Sequence, residues 1–257
     1  MCLILISWRE DARYPCVVAA NRDERHDRPA QRADWWRDAP ILAGRDLAAG
    51  GTWLGISRSG RFAALTNFRG APPKPAAPSR GLLVSQFLAS ERSVEEELRH
   101  LSAVCRDYGG FNLIFCDGER LGVFESMRGD GRELGAGIYG LSNHLLDTPW
   151  PKVRTAKSRL RAALDDAGEE AAILELLRDS NPAPDGELPR TGIDPQWERL
   201  LSSAFILSPT YGTRCSTVLR IDAAGTANFD EWSWDAGGNC VGHARHRFAL
   251  SGARIGA

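Results

Sequence analysis

Apolar residues run nearly unbroken at both ends of the chain, while between them the hydrophobic spacing widens to that of helices. Cys2 to Trp8 and Cys16-Val-Val-Ala-Ala20 are apolar runs of strand length separated by polar Arg9 to Pro15, and both read as strands. The charged stretch Asn21 to Arg28 follows the second run directly. Gly50-Gly-Thr-Trp-Leu-Gly-Ile56 and Arg61-Phe-Ala-Ala-Leu-Thr-Asn67 flank Ser59-Gly60, and Phe111 to Cys116 and Leu121 to Glu125 flank Asp117-Gly118. Each pair predicts a hairpin, because a glycine-bearing turn between two short apolar runs reverses the chain. Pro72-Pro-Lys-Pro-Ala-Ala-Pro78 suits neither helix nor sheet and predicts a surface loop.

Ser93-Val-Glu-Glu96 has the form of a capping box and opens a helix to about Arg106, with Val94, Leu98, Leu101 and Cys105 at helical spacing. Further helices are predicted at Lys152–Asp165 and Glu169–Arg178, and a short one near Gln196–Ser202. Strands return at Phe205–Leu207, Cys215–Ile221, Ala227–Trp232 and Val241–Leu250, with Gly225 turning the middle two. There is no internal repeat. Strands from both ends around a helical middle imply an α+β or layered sandwich fold in place of a doubly wound sheet. With no linker-like break, residues 1–257 are expected to form one domain.

Composition narrows the function classes. The 257 residues are 43% hydrophobic and 25% charged, and 32 basic against 33 acidic side chains leave a formal charge of −1. That balance carries no electrostatic footprint for nucleic acid or an anionic membrane. The apolar opening is far too short to span a bilayer and lacks the basic stretch of a secretory signal, so a cytoplasmic location is expected. The six cysteines form no C-x-x-C pair, and a chain of this size needs no covalent staples, so reduced thiols are expected.

Cys2 stands where removal of an initiator methionine would leave it first, with a thiol and a free α-amine on one carbon. An α-amine has a pKa of about 7.7–8.0, so it can take the thiol proton as a Lys or His does elsewhere. The plainer alternative is a small buried residue starting a strand. Asn21-Arg-Asp-Glu24 lies where a reversing pair of strands brings it back toward Cys2; its guanidinium would favour thiolate and its carboxylate would fix the amine. Its alternative is a solvated charge run. No cofactor or metal is called for: His243-Ala-Arg-His246 lacks further ligands at metal spacing and reads as a solvated strand end. The eight Trp residues are read as packing before they are read as a ligand pocket.

Asn21-Arg-Asp-Glu24 is also the tetrapeptide of the NRDE family, related to transport and Golgi organization protein 2. Around it stand Ala43-Gly-Arg-Asp46, Gly50-Gly-Thr-Trp-Leu-Gly55, Leu65-Thr-Asn-Phe-Arg69, Gly140-Leu-Ser-Asn143, Leu146-Asp-Thr-Pro-Trp-Pro-Lys-Val153 and Tyr211-Gly-Thr-Arg-Cys-Ser-Thr217, in family order. The resemblance implies the four-layer αββα sandwich of N-terminal-nucleophile (Ntn) hydrolases, distantly similar to the bile-salt hydrolase and penicillin V acylase group. It implies that Cys2 is nucleophile and base and that Asp23 sits beside the N-terminus. Asn143 and Asn67 would bind the oxyanion and the substrate carbonyl, and Arg214 would polarise the nucleophile. One departure stands out: the acylases have an arginine three residues before their aspartate, where this chain has Ala20. Arg22 is the nearest replacement, yet on an alternating strand Arg22 and Asp23 face opposite ways. The implied function is hydrolysis of a C–N bond in a small-molecule amide. The alternative is a non-enzymatic carrier or chaperone of heme or another apolar, lipid-like ligand.

Overall fold

The computed structural model describes residues 2–72, 74–165 and 169–251. In chain order, β1 (Cys2–Trp8), β2 (Cys16–Arg25), β3 (Ala30–Trp35), β4 (Ile41–Asp46), β5 (Leu54–Ser57) and β6 (Phe62–Asn67) precede α1 (Gly81–Leu88) and α2 (Val94–Val104). Then come β7 (Phe111–Cys116), β8 (Leu121–Glu125), β9 (Asp130–Leu134), β10 (Gly137–Leu141), α3 (Pro151–Leu164), α4 (Glu169–Leu177) and α5 (Pro195–Leu200). β11 (Tyr211–Ile221), β12 (Thr226–Trp234) and β13 (Cys240–Ala249) follow.

The strands form two antiparallel sheets, ordered β10-β1-β2-β11-β12-β13 and β3-β4-β5-β6-β7-β8-β9. β1 and β2 read as continuous apolar runs because both of their faces are covered. Ile4, Ile6, Trp8, Cys16, Val18 and Ala20 point into the core between the sheets, together with Ile56, Phe62 and Ile114 of the second sheet. Leu3, Leu5, Val17 and Ala19 point the other way, onto Val153, Leu160, Ile173 and Leu177 of α3 and α4. α1 and α2 cover the outer face of the second sheet through Leu83, Phe87, Val94 and Leu101. The layers are therefore α, β, β, α, the arrangement expected from the resemblance. Truncating a residue such as Ile4, 1% exposed between the sheets, would cost about 2–5 kcal/mol.

Both hairpins form at the expected turns, with Gly60 at φ +85° and Gly118 at φ +106°, left-handed values that glycine accepts without steric penalty. Ser93 caps α2 as expected, its hydroxyl accepting from the Glu96 N–H while the Glu96 carboxylate accepts from the Ser93 N–H. The loop at 72–78 has no regular structure at its described residues; Pro73 lies outside them.

Four strands and one helix have no counterpart in the sequence reading. β3, β9 and β10 lie at sheet edges; the exposed flanks of β3 and β9 carry polar residues, as Ala-Gln-Arg-Ala-Asp-Trp and Asp-Gly-Arg-Glu-Leu, while β10, Gly-Ile-Tyr-Gly-Leu, is short and holds two glycines. β4 has only three buried apolar residues, and α1 is an apolar run too short to distinguish from a strand. Phe205–Leu207 corrects the opposite way: it is irregular, not a strand. Its amides are satisfied off any ladder, Phe205 N–H on Asp179 O at 2.8 Å and Ile206 N–H on Thr213 Oγ1 at 2.9 Å. No helix among the described residues is long and apolar enough to cross a membrane.

Candidate active site

Cys2 begins β1 directly opposite Arg22 of β2, and Arg22 is in turn opposite Cys215 of β11. By strand parity these three side chains share the face between the sheets, and all three line a cleft of about 870 Å³. Asp23, one residue on, points toward the helices. β2 does not bend to bring Arg22 and Asp23 together; its neighbour adapts instead. β11 carries a bulge between Thr213 and Cys215, which sets Thr213 opposite Asp23 and Cys215 opposite Arg22, leaving Arg214 as the extra residue. Alternation thus holds, and the two side chains of the tetrapeptide serve the two sides of the strand.

On the helix side, Asp23 is 2% exposed and its Oδ1 accepts from Thr213 Oγ1 at 2.7 Å. Burial raises its carboxyl pKa, against the pull of the positive chain terminus, Lys152 and Arg22. Tyr211 Oη donates to the Asp23 carbonyl at 3.0 Å. Asn143 holds the Cys2 nitrogen: that N–H donates to Asn143 Oδ1 at 2.8 Å, and Asn143 Nδ2 donates to the Asn67 carbonyl at 2.8 Å. Because the Cys2 N–H can only donate and the Asn67 carbonyl only accept, the amide orientation is fixed by its partners. Asn143 is 1% exposed and sits at φ +56°, a left-handed conformation that asparagine tolerates and most residues do not. Its own carbonyl accepts from the Arg69 N–H at 2.7 Å, which pins that turn.

On the cleft side, Arg22 Nη2 lies 3.3 Å from Asp46 Oδ2, and Arg28 Nε is 2.6 Å from the same oxygen. Asp46, from the Ala43-Gly-Arg-Asp46 segment, thereby fixes Arg22 beside the sulfur. Burial pushes the Cys2 thiol up; the positive chain terminus, an Asp23 N–H bond and the Arg22 charge act downward, while the Asp23 carboxylate adds to the rise. Position alone pointed to a lowered thiol, but in this setting desolvation outweighs the cations. Arg214 lines the same cleft, with its guanidinium on the Arg25 and Arg28 carbonyls at 2.7 and 3.1 Å. Arg22 is thus the arginine whose charge bears on the thiol. The exposed Asn67 side chain, at the end of β6, also faces the cleft.

Several residues escaped the sequence reading as site residues. Lys152, 6% exposed, lies within electrostatic reach of Asp23 and Cys2. Arg69 is buried against Glu198 at 2.6 Å and lies over the Trp150 ring at 4.4 Å. Glu231 lines the cleft, accepts from the Ala33 N–H at 2.8 Å, and is raised by burial. Lys152, Arg69 and Asp46 each fall in a segment that carried the family resemblance, which was the only signal available for them. The cleft wall is also more basic than the near-neutral chain: Arg28, Arg32, Arg45, Lys74 and Arg80 join Arg22 and Arg214 there. His243 stacks on Trp232 and contacts Asp230 at 2.9 Å, and the described residues contain no cluster of His, Cys, Asp and Glu suited to a metal. All six cysteines are free thiols.

Residues 1–236 match the family described as Transport and Golgi organisation 2. The bovine homologue of transport and Golgi organization protein 2 is 38% identical over 241 residues, covering 86% of this chain and 87% of that protein. The mouse homologue is 35% identical over 240 residues, with the same coverage of both chains. The Drosophila melanogaster protein is 30% identical over 244 residues, 85% of this chain and 86% of its own. Among solved structures, a mutant conjugated bile acid hydrolase from Clostridium perfringens superposes with TM-score 0.48 and 9% identity, covering 97% of this chain and 92% of that one. A Caenorhabditis elegans ortholog of N-acylethanolamine-hydrolyzing acid amidase does so with TM-score 0.44 and 14% identity, covering 85% and 92%. The chain belongs to the Transport and Golgi organisation 2 family.

Proposed function

We propose that this protein, once Met1 is removed, is an N-terminal-cysteine hydrolase of a small-molecule C–N bond. One observation carries the reading. The two reactive groups of Cys2 are served separately, the nitrogen by Asn143 at 2.8 Å and the sulfur by the Arg22-lined cleft. As the thiol attacks the amide carbon, its proton passes to the Cys2 amine and the carbonyl electrons collect on oxygen. A raised thiol pKa suits this order, because the proton leaves during attack and no standing thiolate is needed. The second Nδ2 proton of Asn143 and the Asn67 side chain are the oxyanion donors, and Asp23 stabilises the ammonium that forms. Collapse of the tetrahedral species breaks the C–N bond, and the leaving nitrogen takes the proton from the Cys2 ammonium. Water, deprotonated by the same amine, then cleaves the thioester to release the acid and restore the thiol.

The test compares Met1-free protein with protein carrying one alanine inserted before Cys2, on a panel of N-acyl amides, reading amine release. Losing the basic amine should lower the rate by about 10²–10⁴, and Cys2→Ala should abolish it. Equal rates in the extended protein, or no amine released from any amide by the Met1-free form, would refute the hydrolase.

A second reading, a carrier of a heme- or lipid-like ligand, draws on the basic cleft wall together with Trp53, Phe68 and Leu82, which suits an apolar body bearing acidic groups. Saturable ligand binding that survives Cys2→Ala, with no turnover, would favour it over the hydrolase.

A further inference from the structure

Lys152 is the second residue of α3, buried to 6% exposure, and its Nζ has no hydrogen-bond partner among the described residues. Three physical terms oppose a charge there. The ammonium is stripped of water, it lacks an acceptor, and it sits at the positive end of a helix whose first turn holds no acid. A residue present only for packing would be apolar, since Met fills the same volume without these penalties. The charged groups facing it come from three directions. Asp23 reaches it from β2, Cys2 from β1, and Arg69 from the loop after β6. Tyr211 of β11 lies within range of the Asp23, Cys2 and Arg69 charges. Glu198 of α5 pairs with Arg69 at 2.6 Å, and the Asp23 carboxylate is favoured by Lys152 as well as by the positive chain terminus.

We propose that Lys152 is a positioning residue of the Cys2 site: its buried ammonium offsets the Asp23 carboxylate, so that charge developing on the Cys2 sulfur is not repelled by Asp23. The inference rests on the hydrolase reading. Asp23 is needed beside the nitrogen, yet its negative charge opposes thiol ionisation. A buried cation within range of Asp23, and not part of the cleft lining, eases that conflict. Burial lowers the Lys152 pKa to about 8, opposed by Asp23 and Cys2 and assisted by Arg69, which leaves the amine mostly protonated at neutral pH.

The experiment uses full-length Met1-free protein, its mass verified, and measures the pH dependence of Cys2 alkylation by iodoacetamide through peptide mass spectrometry. Exposed Cys240 serves as the internal standard. Removing a positive charge near an acid raises its midpoint. Lys152→Met and Lys152→Gln should therefore slow Cys2 labelling at pH 7, where Lys152 still carries its proton, by about tenfold. Lys152→Arg should keep the unsubstituted labelling rate at pH 7, because it keeps the charge. An unchanged labelling rate at pH 7 in both neutral variants, or an equal slowing in Lys152→Arg, overturns the inference and leaves the hydrolase standing. Absence of Cys2 labelling in the unsubstituted protein overturns both.

Discussion

Replacing Asn143 with alanine removes the clamp on the Cys2 nitrogen. Asn143 makes two side-chain hydrogen bonds, each 2.8 Å long, from a position 1% exposed. Alanine leaves the Cys2 N–H and the Asn67 carbonyl without these partners, and an unsatisfied buried polar group costs about 1–3 kcal/mol. The Asn67 carbonyl is partly accessible, so water recovers part of its share, giving a combined loss of about 2–4 kcal/mol. The left-handed backbone at φ +56° adds about 1 kcal/mol for alanine that glycine avoids. Asn143→Ala should thus lose about 3–5 kcal/mol and Asn143→Gly about 1 kcal/mol less. At about 2–4 °C per kcal/mol for a chain of this size, the alanine variant should melt at least about 6 °C lower. Equilibrium urea unfolding supplies the free energies and calorimetry the melting temperatures. An alanine variant within 1 kcal/mol of the parent, or more stable than the glycine variant, would show that this clamp does not exist in solution.

Two further perturbations test the surroundings. Burial pushes Cys116 from the usual 9.0 up to about 12, so the folded state keeps a proton that the unfolded chain loses. Stability should hold below pH 9 and fall above it by about 1.4 kcal/mol per pH unit for this thiol, a slope that Cys116→Ala removes; equal slopes refute it. Glu198→Gln leaves the Arg69 guanidinium, 3% exposed, without its carboxylate and should cost about 3–5 kcal/mol in urea unfolding. A loss under 1 kcal/mol would mean that Arg69 finds another partner.

The paired strands β1 and β2, the two hairpins, and α2 to α5 were legible because each carries its own local signal. A run covered on both faces is apolar throughout, a glycine marks each tight turn, and Ser93 with Glu96 announces a helix start. The edge strands β3 and β9 were not, since their polar residues erase the pattern, nor was β10, whose two glycines weaken the strand signal. Cys2, Arg22, Asp23, Asn67, Asn143 and Arg214 could be named from position and resemblance, but not their relations. That Arg22 faces the sulfur while Asp23 faces the helices follows from parity once the partner of β2 is known. That Arg214 turns to the Arg25 and Arg28 carbonyls depends on a bulge in β11 that no local pattern declares.

The sequence by itself determined the α+β layering and the family, because hydrophobic period and segment order are local properties. The tertiary structure alone decided which charges meet. Asp46 reaches Arg22 from 24 residues away, Asn143 reaches Cys2 from 141 residues away, and Lys152 comes within electrostatic range of Asp23 from the helical layer. Electrostatics acts through distance and burial, which a linear order does not contain. The near-neutral chain consequently hides a basic cleft, and a thiol within range of the Arg22 charge is still held above its usual pKa by desolvation and the Asp23 carboxylate.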